Sequence, residues 1–278
     1  MIQIKEFPNQ SFACKTEMFK ALRENKKALI AQKKMATKFS DSVMYHTSYY
    51  VGDKEEVTKS VKNLSEDVNK IKADLVINTT GVMDSHSDVH IKGLWKKSLQ
   101  EQKGLYLLQE HNMTFDKIIS DNVNAKAKDY MWVDLGFNYE GKSQALVFTA
   151  EIEKERNPFM FNQYAKGYVK EHSVGMRYIK IDLAIDSNSE YDKEEKDVWD
   201  KYFDQIANKE EAQEQGYFWA VTEAKVIEGS AVVKGSNFAT PTLNIEAVSD
   251  TSKIEPSHDT HKKVNLLDKI NSTKIIIN

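Results

Sequence analysis

Apolar residues in the first part of the chain recur at helical spacing. Met18, Phe19, Leu22, Leu29 and Ile30 stand among lysines and predict a basic amphipathic helix over about 13–36. Val57, Val61, Leu64, Val68 and Ile71 follow at 4-3-4-3 spacing, the seam of a packed or coiled helix over 53–72. Two heptads are too few to stand alone, so this helix must dock on its own domain, a second copy or a partner. From Ala73 the period shortens. The runs LVINTTGV, GLYLLQEH, YMWVDLGF, ALVFTAEIE, SVGMRYIKI and WAVTEAKVIEGSAVV are β-rich and separated by polar or glycine-containing turns, which predicts a mostly antiparallel sheet or barrel.

Two helices interrupt these strands. Asn157–Pro158 offers an N-cap followed by proline at the first helical position. Met160, Phe161, Tyr164, Tyr168 and Val169 then give the buried stripe of a helix running to His172 and directly into SVGMRYIKI. Val198, Trp199, Tyr202, Phe203 and Ile206 form the apolar face of a second helix over about 191–213, an insertion between two strands. After Thr242 the chain turns polar, and residues 247–278 read as a flexible tail.

Charge changes this picture locally more than globally. The 278 residues carry 39 Lys+Arg and 42 Asp+Glu, a net −3 that argues against a dedicated nucleic-acid binder. The balance hides segregation: residues 15–38 are net +6 and residues 186–214 net −7, so the two segments can attract each other. One cysteine, Cys14, rules out an intramolecular disulfide framework and a cysteine-only zinc cage. It lies outside the β-rich region, which argues against a thiol nucleophile. No stretch matches a membrane helix and the start lacks signal-peptide order, so a cytosolic, membrane-free protein is expected.

Three segments carry candidate chemistry. In LYLLQEHN an apolar run ends at Glu110–His111, where a strand would fix the backbone while the imidazole reaches out as a general base. In EHSVGMRY, Ser173 opens a strand and Gly175 leaves room for a close backbone approach. His172 is a poor partner for Ser173 because strand neighbours point to opposite faces, whereas strand pairing could bring His111 beside it. In WAVTEAKVIEGSAVV, Glu223 or Glu228 could be a half-buried carboxylate that needs a partner such as an imidazole turning positive. Each segment also has a plain reading, as strand terminus, turn serine and exposed strand face. A competing constellation is DSHSDVH, whose Asp84, His86, Asp88 and His90 would share one strand face and suit a divalent metal. Same-face neighbours lie about 7 Å apart, too far for one ion without a bend, and a polar turn is the alternative.

The order of these pieces, from about Asp74 to Leu243, resembles the prohead (capsid-maturation) serine proteases of tailed bacteriophages, which share the herpesvirus-assemblin type of fold. VINTTGVMDSHSDVHIKGLWKKSL is similar to the family's early strand, acidic turn and helix; LLQEHN to its histidine-bearing strand end; YVKEHSVGMRY to its serine motif; and IEGSAVV to its E-x-S-x-V run. The resemblance implies an α+β fold, a mostly antiparallel β-barrel core surrounded by helices. Residues 1–72 would form a helical N-terminal extension, 73–246 the protease domain with an acidic helical insertion at about 186–215, and 247–278 the tail.

It also implies catalytic roles for Ser173, His111 and Glu228, with Glu223 the substitute for the third, and it requires neither cofactor nor metal. VKGSNFATP stands where the family continues into a Pro-Ala-Asn turn, the insertion is longer than the minimal pattern, and residues 1–72 match nothing in it. Implied substrates are the major capsid protein, the scaffold protein and the protease itself, inside a procapsid assembling in the bacterial host cytoplasm; a homodimer is implied by association-activated relatives. Candidate oxyanion donors are backbone N–H groups near Ser173 and Gly175, or Arg177. The basic N-terminal helix and the tail would suit packaging with an acidic scaffold and self-removal. The rivals are a non-catalytic capsid- or scaffold-binding protein that keeps the protease-like fold, and a metallo-hydrolase using Asp84, His86 and His90.

Overall fold

Strand alternation sets most of the architecture. The computed structural model describes residues 1–35, 68–101 and 104–248. Its strands are β1 (Ile2–Gln3), β2 (Ser11–Phe12), β3 (Lys70–Thr79), β4 (Asp88–His90), β5 (Leu107–Gln109), β6 (Ile118–Ser120), β7 (Val123–Met131), β8 (Lys142–Glu153), β9 (Glu171–Ile185), β10 (Tyr217–Val232) and β11 (Thr242–Ala247). Six α-helices lie among the described residues: α1 (Lys15–Glu24), α2 (Lys26–Met35), α3 (Lys96–Glu101), α4 (Pro158–Ala165), α5 (Lys193–Tyr202) and α6 (Lys209–Gln215). None is long and apolar enough to cross a membrane.

The fold is α+β. One sheet has the order β11-β3-β8-β7 and is antiparallel throughout. A second is mixed: β10 pairs antiparallel with β9 along almost its whole length, and parallel with β4 near its start and β5 near its end, with β6 antiparallel on β5. The pair β1–β2 stands apart.

Period-2 burial explains how these sheets pack. Ile71, Ala73, Leu75 and Ile77 of β3, Leu146, Phe148, Ala150 and Ile152 of β8, and Val174, Met176 and Tyr178 of β9 bury one face into a shared core. Met18, Phe19, Leu22 and Leu29 of α1 and α2 join it, so the N-terminal helices help build this core. Along the start of β10, Tyr217, Trp219 and Val221 face that core, while Phe218 and Ala220 face a second cluster with Trp199, Ile206 and Ala212. The apolar side of the acidic insertion therefore seals the back of β10, leaving its carboxylates outward and toward the basic helices.

The expected attraction between the charged segments is realised within the chain. Arg23 pairs with Asp192, and Lys26 Nζ lies 2.6 Å from Glu195 Oε1. Lys33 goes deeper. Its ammonium lies 2.6 Å from Asp88 Oδ1, and the other Asp88 oxygen accepts a 2.8 Å bond from the Tyr178 hydroxyl. Burial, with Asp88 and Asp84 nearby, holds Tyr178 well above its usual range, so it stays a neutral donor. Glu6 anchors the N-terminal segment by accepting 2.7 Å bonds from Tyr217 Oη and Trp219 Nε1.

Several expected boundaries shift. The helix expected over 13–36 is two helices with Asn25 between them, whose N–H caps α1 by donating to the Ala21 carbonyl. Of the helix expected over 53–72, residues 53–67 lie outside the described residues, and Ile71 belongs to β3. The helix capped by Asn157, whose Oδ1 accepts from Met160 N at 3.1 Å, stops at Ala165, short of His172; Gly167 follows with φ 67°. The insertion helix breaks into α5 and α6. Ala247 still pairs with Ile71 in the β11–β3 ladder, and the expected tail from Ser249 onward lies outside the described residues.

The buried Lys33–Asp88 pair gives a stability prediction. Asp88→Ala removes the nearest carboxylate from an ammonium that is only 10% exposed and keeps only Glu6 Oε1 at 3.8 Å and the His86 carbonyl at 3.2 Å. Denaturant unfolding should therefore show a loss of about 3 kcal/mol, the low end for a broken buried pair. A loss below about 1 kcal/mol, the range of a surface pair, would contradict this account.

Candidate active site

The candidate residues converge where β5 ends beside β10. Strand β5 runs parallel to β10, pairing Leu107 with Gly229 and Gln109 with Ala231, and Glu110 N–H extends the ladder to the Ala231 carbonyl at 2.9 Å. The chain then reverses. Glu110 and His111 both take left-handed backbone conformations, φ 52° and 57°, and Asn112 N–H closes the turn on the Gln109 carbonyl at 3.0 Å. Side chains other than glycine resist that region by about 1–2 kcal/mol each, so surrounding contacts must hold the turn.

The turn delivers the imidazole to a carboxylate. His111 Nδ1 lies 2.6 Å from Glu228 Oε1, with the His111 side chain 7% exposed and the Glu228 side chain 1%. An ionised carboxylate can only accept, so Nδ1 carries the proton and Nε2 is the basic nitrogen. The second oxygen, Oε2, accepts a 2.6 Å bond from Ser230 Oγ, and Ser230 Oγ accepts from His111 N–H at 3.0 Å.

Strand register puts Ser173 on the same face. Ser173 is opposite Ser230, and Gly175 opposite Glu228, in the β9–β10 ladder. Directly opposed residues share a face with Cβ atoms about 4.5–5.5 Å apart, so the Ser173 side chain rises beside the Ser230–His111–Glu228 ring. The buried neighbours Val174 and His172 point the other way, into the core. Gly175 has a steric role: a Cβ there would lie 2.0 Å from Glu228 Oε1. The close approach expected at this glycine is thus made by a carboxylate and not by backbone. Gly229 serves the opposite face, where a Cβ would meet the Phe148 ring at 2.6 Å.

The other sequence candidates fall elsewhere. Glu223 sits five residues before Glu228, roughly 15 Å along the strand, and pairs with Lys180 at 2.7 Å, which holds its carboxyl below the usual range. It therefore does not substitute for Glu228. His172 is fully buried, its ring nitrogens 3.0 Å from the Thr240 carbonyl and 3.1 Å from the Tyr164 hydroxyl. Asp84, His86, Asp88 and His90 do not share a strand face. Asp84 Oδ1 accepts from His86 N–H at 2.8 Å and Asp88 N–H at 3.0 Å, bending the chain into a turn, and Asp88 binds Lys33 and Tyr178. The His90 ring nitrogens lie 3.2 Å from Asn78 Oδ1 and 3.1 Å from Tyr178 Oη. Among the described residues, no group of three or more His, Cys, Asp or Glu side chains is arranged to hold a metal ion.

Sequence reasoning missed Ser230, although its position two residues after Glu228 on one strand already placed both on one face. No protein-family model, no curated protein and no solved structure matches this chain.

Burial pushes His172 down to about 4 from its ordinary 6.5, partly opposed by the Thr240 carbonyl. Above pH 6.5 both folded and unfolded chains hold it neutral. As pH falls toward 4 the unfolded chain takes a proton that the folded one refuses, so stability falls with pH across that window. The shift corresponds to about 3 kcal/mol. Unfolding measured at a series of pH values should show this slope, and His172→Gln should flatten it; equal slopes in the two proteins would contradict the buried neutral imidazole.

Proposed function

We propose that this chain is a prohead-maturation serine endopeptidase in which Ser173 is the nucleophile, His111 the general base and acid, and Glu228 the group that fixes the imidazole. The observation that carries the reading is the buried 2.6 Å His111–Glu228 pair, held at a strand end with Ser173 on the same face. A serine hydroxyl is a weak nucleophile until a base takes its proton, and a carboxylate on Nδ1 turns Nε2 toward that task and stabilises the imidazolium once formed.

The reaction divides into two halves. Ser173 Oγ attacks the scissile peptide carbonyl as its proton passes to His111 Nε2. The tetrahedral intermediate collapses when His111 returns that proton to the amine nitrogen, leaving an ester on Ser173. Water then attacks the ester by the same proton route in reverse, releasing the acid and regenerating Ser173. Arg177, two residues beyond Gly175 on the same face of β9, lines a cavity of about 530 Å³ with Ser98, Leu105 and Val226. In this proposal that cleft takes part of the substrate, and Arg177 or backbone N–H groups near Ser173 and Gly175 stabilise the oxyanion.

The finer parts of the proposal follow the resemblance. The two larger sheets are the halves of an assemblin-type barrel, a reading supported by the Ser120 hydroxyl of β6, which donates to the Glu151 carbonyl of β8 at 2.5 Å. Substrates are the scaffold protein, the major capsid protein and the protease itself, met inside a procapsid in the host cytoplasm, with the protease acting as a homodimer. Docking of an acidic scaffold on the basic helices has less support, since Arg23, Lys26 and Lys33 are engaged by carboxylates of this chain.

Co-expression with the capsid and scaffold proteins tests the reading. Wild type should yield shortened products. Ser173→Ala should leave them full-length, a rate loss of about 10⁴-fold or more, while remaining folded. Identical band patterns from both proteins would sink the protease reading in favour of a non-catalytic binding protein.

A further inference from the structure

We propose that Ser230 is a positioning residue that locks the proton-bearing tautomer of His111. The inference rests on the reading of His111, Ser173 and Glu228 as a proton relay. It comes from a closed circuit of hydrogen bonds: His111 N–H to Ser230 Oγ at 3.0 Å, Ser230 Oγ–H to Glu228 Oε2 at 2.6 Å, and Glu228 Oε1 to His111 Nδ1–H at 2.6 Å. Ser230 thereby ties both the backbone and the ring of one residue to one carboxylate.

Each bond in the circuit has a separate physical task. A carboxylate 1% exposed has lost its water, and a single bond to His111 would leave its second oxygen unsatisfied and the group able to turn about its Cγ–Cδ bond. Ser230 fills that oxygen and stops the rotation. On the other side, His111 N–H belongs to the second left-handed residue of the turn, and the turn's own hydrogen bond is made by Asn112 N–H instead. Accepting from His111 N–H, Ser230 Oγ holds the strained backbone from which the imidazole projects. A hydroxyl suits this place because it donates and accepts at once; an alanine does neither, and a carboxylate could not donate.

The spacing is built into β10. Glu228 and Ser230 point to the same face, Gly229 between them turns to the core against Phe148, and Ser230 is 0% exposed. A surface hydroxyl could exchange its partners with water, whereas this one is restricted to the circuit. Without it the carboxylate can rotate, the imidazole can take the proton on Nε2 instead, and that fraction of molecules lacks a base facing Ser173.

The test uses the full chain and two readouts. In the first, Ser230→Ala should lower kcat for scaffold cleavage by about 100-fold, the scale of a misplaced catalytic group, with KM within about twofold. In the second, ¹⁵N shifts of the His111 ring are compared in the Ser173→Ala protein with and without Ser230→Ala. Nδ1–H should dominate with Ser230 present and give way to a mixture of tautomers without it. The second readout needs no activity, so a chain that cleaves nothing would overturn the protease reading while the ring shifts still decide the role of Ser230. Unchanged kcat with unchanged tautomer populations, even alongside a lowered Tm, would overturn the inference and leave Ser230 a structural residue. If Ser230→Ala fails to fold, Ser230→Cys, close in shape but a weak donor, is measured the same way with the same expected and contrary results.

Discussion

The pairing of β9 with β10 is the constraint on which the rest of the structure depends. The two strands run antiparallel from Tyr217 opposite Ile185 to Val232 opposite Glu171, and β4 and β5 are attached directly to β10, with β6 added on β5. Its free edge takes β4 near one end and β5 near the other, both parallel, so chain segments distant in sequence are aligned on one template. One face of the ladder meets β3 and β8 in the main core, and the start of β10 is sealed on its other face by the acidic insertion. A one-residue slip of β9 against β10 would turn Ser173 into the core, expose Val174 and take the serine off the face that carries Glu228.

That register also explains the local sequence. Ser173 and Gly175 alternate on β9, Glu228 and Ser230 on β10, and cross-strand pairing makes a square of a hydroxyl, a hydroxyl, a carboxylate and an empty position. The empty position is occupied by the carboxylate itself, lying over Gly175 where a Cβ would collide with it. Burying that charge is unfavourable unless it is bonded, and the His111 ring and Ser230 hydroxyl meet the need. The left-handed turn at Glu110–His111 is the local strain accepted so that an imidazole can reach the carboxylate.

Much of this was legible in sequence, for identifiable reasons. Alternating apolar residues announced the strands, and Asn157–Pro158 marked the start of α4 because capping is a short-range signal. Boundaries failed where two periods overlapped. Ile71 completes a heptad-like series, yet it is also the first of Ile71, Ala73, Leu75 and Ile77, the core face of β3. The apolar stripe of α4 continues in sequence through Tyr168 and Val169 toward His172, although Gly167, with φ 67°, carries the stop signal. Choosing between Glu223 and Glu228 needed a partner across the strand pair: Lys180 engages the first and His111 the second, and no local pattern encodes that choice. DSHSDVH alternates like one strand face by residue count alone, whereas Asp84 bends the chain by accepting from two backbone N–H groups.

The central proposal is that Ser173 is an activated nucleophile, served by the His111–Glu228 pair on the same face of the β9–β10 ladder. Labelling with a fluorophosphonate, followed by peptide mapping, measures this directly. The account predicts one covalent adduct, on Ser173, formed by wild type and lost in His111→Ala and Glu228→Gln proteins that remain folded. An unlabelled wild type, or an adduct on Ser173 that forms equally fast without His111, would contradict it.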